Sequence, residues 1–121
     1  MELDDVAKAA AVYGAVSGVL AAESAGGERS YLVAFESSDT RDWLLLDAAG
    51  NSVDERARVR EVASLVAMCE LAAEHAGAAD EGRVASPDYL DAVGTAELAA
   101  SMSVVEAFVA EVEARYKLPL R

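Results

Sequence analysis

Residues 31–46 form the one β-rich segment of the chain, and alanine-rich stretches lie on both sides of it. Two apolar runs, 31–35 and 42–46, flank the polar residues 37–41. Short runs of β-branched, aromatic and leucine residues on either side of a polar turn are typical of an antiparallel hairpin. We therefore predict two strands joined by a turn.

The predicted hairpin is apolar on both faces. Alternate side chains of a strand point to opposite sides. In the first strand, one side carries Tyr31, Val33 and Phe35, and the other carries Leu32 and Ala34. Because a two-stranded hairpin is only marginally stable alone in water, both faces must be covered. We expect helices to cover one face, and a third strand or a second copy of the chain to complete the other.

The segment before the hairpin predicts a long helix over residues 4–25. Asp4 and Asp5 suit the positive end of the helix dipole, and Gly26 and Gly27 provide a stop. Small residues recur along it at every fourth position, and another helix could approach them closely. These are Ala10, Gly14, Gly18 and Ala22. The stripe suits packing within the chain or a contact between two copies.

A second long helix is predicted after the hairpin, from Ser52 to about residue 76. Ser52 and Glu55 have the spacing of a capping box, and Gly77 follows the last periodic residue. Arg56 and Arg60 lie near the helix start, where cations are unfavourable, so they call for an acidic partner. The hairpin offers Glu36, Asp42 and Asp47.

The remainder of the chain predicts a loop over residues 77–85, a short helix and a last long helix. Ser86 followed by Pro87 is a typical helix start, and Gly94 is a stop. The last helix is predicted over residues 96–117. Its apolar residues alternate steps of four and three, which is a heptad pattern. The seam consists of Leu98, Met102, Val105, Val109, Val112 and Tyr116. It fits either a neighbouring helix of the same chain or an interface with a second copy.

These elements predict one α+β domain over residues 1–121. Its order is a helix, a two-stranded antiparallel hairpin, and then two further long helices with a short helix between them. The hairpin could be completed to a larger sheet in a dimer. Alanine is the commonest residue and aromatic residues make up only 6% of the chain, so the core is built from small side chains. Added burial at a subunit interface is therefore favoured.

Charge and cysteine content narrow the partners and the compartment. A net charge of −12 argues against nucleic acid and anionic membranes, since both are bound mainly through Lys and Arg. The acidic start is unlike a signal peptide, and the apolar run 9–22 is too short to span a bilayer. A single cysteine, Cys69, fits a reducing compartment. We expect a cytoplasmic protein.

The residues offer little catalytic chemistry. His75 is the only histidine, so a two-histidine metal site cannot form within one chain. Cys69 falls on the apolar stripe of its helix, where a thiol behaves as a small hydrophobe. No pairing of a nucleophile with a base can be read from the spacing. We expect no cofactor, no metal and no enzymatic activity.

Two functional hypotheses remain. The first is a non-enzymatic protein-interaction module that acts as a homodimer and receives another protein. The second is a small-molecule binding or sensing domain, with a pocket between hairpin and helices. That pocket would be lined by Tyr13, Tyr31, Phe35, Trp43 and Tyr89. Trp43 could either anchor the hairpin on the helices or lie exposed as a contact for a partner.

Overall fold

The computed structural model describes residues 2–37, 39–75, 84–93 and 102–121. The chain combines helices with an antiparallel sheet, so the predicted α+β class is confirmed. In chain order the elements are α1 (Leu3–Ala10), a 3-10 turn (Ala11–Tyr13), β1 (Val16–Glu23), β2 (Arg29–Ser37), β3 (Thr40–Asp47), α2 (Arg56–His75), α3 (Pro87–Val93) and α4 (Met102–Ala114).

The predicted hairpin is present as β2 and β3. The two strands pair in antiparallel register, with Tyr31 opposite Leu46 and Phe35 opposite Asp42. β1 pairs with the other side of β2, so the strand order is β1-β2-β3. The sheet is therefore larger than the predicted two-stranded hairpin, and its third strand comes from within the chain.

The prediction of one helix over residues 4–25 is wrong, because α1 ends at Ala10 and a strand follows. Gly14 separates the two elements with a φ of 152°, a conformation that glycine adopts readily and other residues rarely. Beyond it, Val16 and Val19 are β-branched and favour strands. A strand here also pairs with the free edge of β2, which a helix could not do. The small residues of the predicted stripe are thus divided among a helix, a turn and a strand.

Helical elements cover both faces of the sheet. Helices α2, α3 and α4 pack on the face that carries Leu32, Ala34, Trp43 and Leu45. Helix α1 and the segment around Leu118 pack on the face that carries Tyr31, Val33, Phe35, Leu44 and Leu46. Burying each of the larger side chains stabilises the fold by roughly 1.5–3 kcal/mol, so neither face can stay open. Trp43 is buried, and its ring packs edge-on against the ring of Phe108 on α4. The two ring centroids are 5.2 Å apart.

Helix α2 begins at Arg56 and not at the predicted cap, Ser52. Ser52 forms an isolated bridge with Leu46, and the Val53 N–H donates to the Leu45 carbonyl at 2.9 Å. Ser52 and Val53 therefore extend the edge of β3. Tertiary pairing outweighs the local capping signal here.

The two arginines at the start of α2 find their acidic partner on α4 and not on the hairpin. Glu113 forms salt bridges with both Arg56, at 2.6 Å, and Arg60. On the hairpin, Asp42 instead binds Arg115 at 2.9 Å. Glu113 therefore ties the start of α2 to the end of α4.

Helix α3 begins where predicted, and the Tyr89 N–H donates to the Ser86 hydroxyl at 3.1 Å as a cap. The predicted loop 77–85 lies mainly outside the described residues, as do Gly94 and the first part of the predicted last helix. Helix α4 is described from Met102 and ends at Ala114. Among the described residues, no helix is both long and apolar enough to cross a bilayer.

The outer edge of β3 is closed by residues from elsewhere in the chain. The Trp43 N–H donates to the Arg115 carbonyl at 3.0 Å, and the Lys117 N–H donates to the Trp43 carbonyl at 2.9 Å. Further along, the Asp47 N–H donates to the Asn51 carbonyl at 2.9 Å. These bonds satisfy backbone groups that an edge strand would otherwise leave to water.

Tyr116 completes this closure with its side chain. Its hydroxyl accepts a hydrogen bond from the Leu45 N–H at 2.8 Å and donates one to the Val53 carbonyl. The prediction that Tyr116 ends the heptad seam of the last helix is therefore wrong. Tyr116 lies beyond that helix and forms an isolated β-bridge with Trp43.

Replacing Tyr116 by Phe should lower the free energy of unfolding by about 1–3 kcal/mol. The substitution leaves the Leu45 N–H and the Val53 carbonyl without their partner, and unsatisfied buried groups carry a cost of this size. Urea denaturation followed by circular dichroism measures it. Tyr13→Phe is the matched control, because the Tyr13 side chain is partly exposed. Equal effects of the two substitutions would contradict this role of Tyr116.

Candidate functional site

The two outer edges of the sheet differ. That of β3 is closed, whereas the described residues close that of β1 at its C-terminal end. There the Glu23 N–H donates to the Ala85 carbonyl at 2.8 Å, and the Ala85 N–H donates to the Ala21 carbonyl at 2.9 Å. Because backbone groups alternate sides along a strand, those of Val19 also point outward. No described residue forms a backbone hydrogen bond with them. Among the described residues, the N-terminal half of β1 therefore presents an open edge.

A β-bulge lies at the beginning of this open edge. Val16 pairs with Phe35 and Gly18 pairs with Ala34, so Ser17 is the extra residue on β1. A bulge bends and twists the strand locally and interrupts its ladder. The unpaired part of the edge is thus short and centred on Val19.

Exposed apolar residues lie directly before this edge. Val12 is 83% exposed and Tyr13 is 37% exposed. Both belong to residues 9–22, the longest run in the chain without a charged side chain. We call residues 11–19 the N-terminal corner. All of them are exposed except Val16 and Val19, which are half-buried.

Several cations on the described surface are paired with acids. Arg29 donates to Glu23 at 2.9 Å across β1 and β2, and this bond raises the pKa of the arginine. Arg115 and Lys117 both bind Asp42, at 2.9 and 3.6 Å. With 22 acidic residues against 10 basic ones, pairing leaves many carboxylates without a cation. Residues 11–19 carry no charge of their own, and the Lys117 ammonium, which is paired with Asp42, lies beside Gly14.

Two clefts flank the first half of α2. The larger has a volume of about 430 Å³, lies between α2 and the base of the hairpin, and has acidic walls. Arg58 lies in it, 3.4 Å from Glu28 and 3.4 Å from the hydroxyl of the buried Ser30. The smaller, of about 290 Å³, lies between α2 and α4, next to Met102. Among the described residues, no aromatic side chain lines either cleft.

The aromatic residues predicted to line one pocket lie in three separate places. Trp43 and Tyr89 belong to the core on the side of α2, whereas Tyr31 and Phe35 belong to the core on the side of α1. Tyr13 lies in the N-terminal corner. The sheet separates the two pairs, so the structure does not bring these five side chains together around one cavity.

The residues of the predicted interface seam lie mostly inside the molecule. Its buried members are Val105, Val109 and Val112. They lie on α4, which packs against α2 of the same chain, the first of the two arrangements that the heptad pattern allowed. Met102 is exposed, and Leu98 lies outside the described residues. A contact through this seam would have to separate α4 from its own core.

The candidate chemical groups are not gathered into a site. Cys69 is buried, and its thiol donates to the Ser86 carbonyl at 3.6 Å. His75 is the last residue of α2, and its side chain lies outside the described part of the structure. Within the described ranges, no group of three or more His, Cys, Asp or Glu side chains is placed to hold a metal ion.

Comparisons with protein families, with curated proteins and with solved structures found no match for this chain. The sequence predictions missed the N-terminal corner, because the predicted helix 4–25 spans it. Two signals in the sequence mark it. Gly14 and Gly18 each disfavour a helix by about 1 kcal/mol, and the valines between residues 12 and 19 favour a strand.

The closed edge of β3 should weaken in alkaline solution. Burial raises the pKa of Tyr116 to about 12, although the hydrogen bond from Leu45 acts in the opposite direction. The folded state thus favours the neutral hydroxyl. The contribution of this hydroxyl to the stability of the fold is complete below the ordinary pKa of about 10. It is lost as the pH rises to about 12.

The stability difference between the wild type and Tyr116→Phe should therefore shrink as the pH rises through this window. Urea denaturation of both proteins on each side of pH 10 measures it, and the variant controls for all other titrating groups. A difference that stays constant up to pH 12 would contradict the assignment of this pKa to the bridging hydroxyl.

Proposed function

We propose that the chain is a non-enzymatic protein-interaction module that acts as a homodimer. The N-terminal corner is the observation that supports this proposal. It combines an exposed valine and a partly exposed tyrosine with residues 9–22, a run of the chain that contains no charged side chain. Exposed apolar surface of this kind often marks a site of contact with another protein.

Electrostatics favours this corner for self-association. Two copies that each carry a net charge of −12 repel each other as they approach. At physiological salt this repulsion is screened over about 8 Å, so the charges nearest the contact matter most. Residues 11–19 add no charge to a contact, and the Lys117 ammonium beside Gly14 is already paired with Asp42. The remaining acidic surface stays available for a second protein partner.

The alternative, a small-molecule binding domain, has less support. Its expected aromatic residues belong to two close-packed cores on opposite faces of the sheet, plus the exposed corner. The larger cleft has the volume of a ligand site, but ligand sites are mostly apolar and this one is acidic. We therefore retain the interaction module as the proposed function.

Replacing Val12 by Glu should raise the dissociation constant of the homodimer about 100-fold. The residue occurs twice in a symmetric interface, and each lost valine contact costs roughly 1.5 kcal/mol. Val104→Glu is the matched control, because Val104 is also exposed, at 55%, and the substitution adds the same charge on α4. Sedimentation velocity over a concentration series measures all three proteins.

The wild type should dimerise, the Val104 variant should match it, and the Val12 variant should be largely monomeric. A wild type that stays monomeric at every concentration would overturn the homodimer. Equal weakening by both substitutions would show that added charge, and not the N-terminal corner, determines the association.

A further inference from the structure

We propose that residues 115–121, the C-terminal segment, form a strap with two states. In the docked state, which the structure shows, the segment closes the outer edge of β3. In the released state, α4 continues as a helix through Lys117, and the amides of Trp43 and Leu45 are uncovered. The strap thus regulates whether this edge can pair with another strand. The inference does not depend on the proposed homodimer.

The first support is the way in which α4 ends. The Arg115 N–H still donates to the Glu111 carbonyl at 3.0 Å, as in a helix, whereas the Arg115 carbonyl accepts from the Trp43 N–H. Glycine and proline are the usual signals that end a helix. Neither occurs between Ala114 and Pro119. The contact with β3 therefore ends α4, and no local stop signal does so.

The second support is that the sequence of residues 115–117 also suits a helix. Tyr116 continues the spacing of four and three that the apolar residues of α4 follow. Arg115 and Lys117 are good helix formers, and bases are favourable near the end of a helix. In a continued helix they lie four residues after Glu111 and Glu113, which is the favourable order for such pairs. Both bases therefore have an acidic partner in either state.

The third support is that charges on the surface contribute much of the docking. The C-terminal segment has three of the ten basic residues and none of the 22 acidic ones. Arg115 and Lys117 bind Asp42, and Arg121 binds Asp54 at 2.8 Å. Exposed ion pairs of this kind each contribute little to stability. The docked state therefore depends on several weak contacts that can be changed one at a time.

Burial separates the C-terminal segment from the helix before it. None of the residues 115–121 is fully buried, whereas α4 has three buried valines that face α2. Elements with few buried side chains open at a lower free energy than the core of the same protein. The segment can therefore leave β3 while α4 and the sheet stay folded.

Release changes only part of the outer edge of β3. The amides of Trp43 and Leu45 lose the carbonyl and hydroxyl partners that the C-terminal segment provides. The Asp47 N–H keeps its bond to the Asn51 carbonyl, which belongs to the turn after β3. Uncovered backbone groups on an edge strand are a template for another strand. The three amides thus distinguish release of the strap from unfolding of the edge.

The first experiment weakens the docked state by Asp42→Asn. This substitution removes the acidic partner of two bases, and the released helix does not use Asp42. Amide hydrogen exchange at Trp43 and Leu45 should become about tenfold faster, as expected for the loss of two exposed ion pairs. Exchange at Asp47 and in the central strand β2 should not change. Glu36→Gln is the matched control, because it removes an exposed carboxylate of the same sheet that forms no ion pair with residues 115–121.

The second experiment weakens the released helix by Glu111→Gln. The substitution removes the acid four residues before Arg115, and Glu111 is exposed in the docked state. Exchange at Trp43 and Leu45 should become about twofold slower, because such a pair stabilises a helix slightly. Glu106→Gln is the matched control, since it removes an exposed acid from the same helix and no base lies four residues after it.

Three results would overturn the proposal. Equal acceleration by Asp42→Asn at Trp43, Leu45, Asp47 and β2 would show that the edge opens only when the whole fold does. No acceleration would show that the ion pairs do not hold the segment on β3. Exchange that Glu111→Gln leaves unchanged would show that the released segment is not a continuation of α4.

Discussion

The two apolar faces of the hairpin formed by β2 and β3 are the constraint on which the fold depends. Each face carries several fully buried side chains, so each must be covered. Helices α2, α3 and α4 cover one face. The short helix α1 and the C-terminal segment together cover the other face, since α1 spans only residues Leu3–Ala10. The C-terminal segment runs beside β3 and adds Leu118 to this face, so its path also determines which edge of the sheet is closed.

The closed edge and the open edge are consequences of the same arrangement. After α4, residues 115–117 run beside β3, and Tyr116 bridges its backbone to Val53. No equivalent segment among the described residues runs along the first half of β1. The charge distribution follows this division, because the uncharged run lies at the open edge. The C-terminal segment thus both covers one face of the sheet and closes the edge of β3.

Local patterns predicted the hairpin, most of α2 and the start of α3, because alternation and helix-start residues act over a few positions. They failed over residues 4–25, where alanine, glycine and valine suit either a helix or a strand, and the choice depends on pairing with β2. Tyr116 fits a heptad by spacing, yet its hydroxyl is needed at the edge of β3. The aromatic pocket failed to assemble because the sheet separates its members, which spacing along the chain cannot reveal.

Amide hydrogen exchange, resolved by residue and repeated over a dilution series, tests the central claim that the chain itself closes the outer edge of β3. The amides of Trp43, Leu45 and Asp47 should stay protected at every concentration, since their partners lie in the same molecule. Rapid exchange at Leu45, or protection of these three amides that is lost on dilution, would contradict the account.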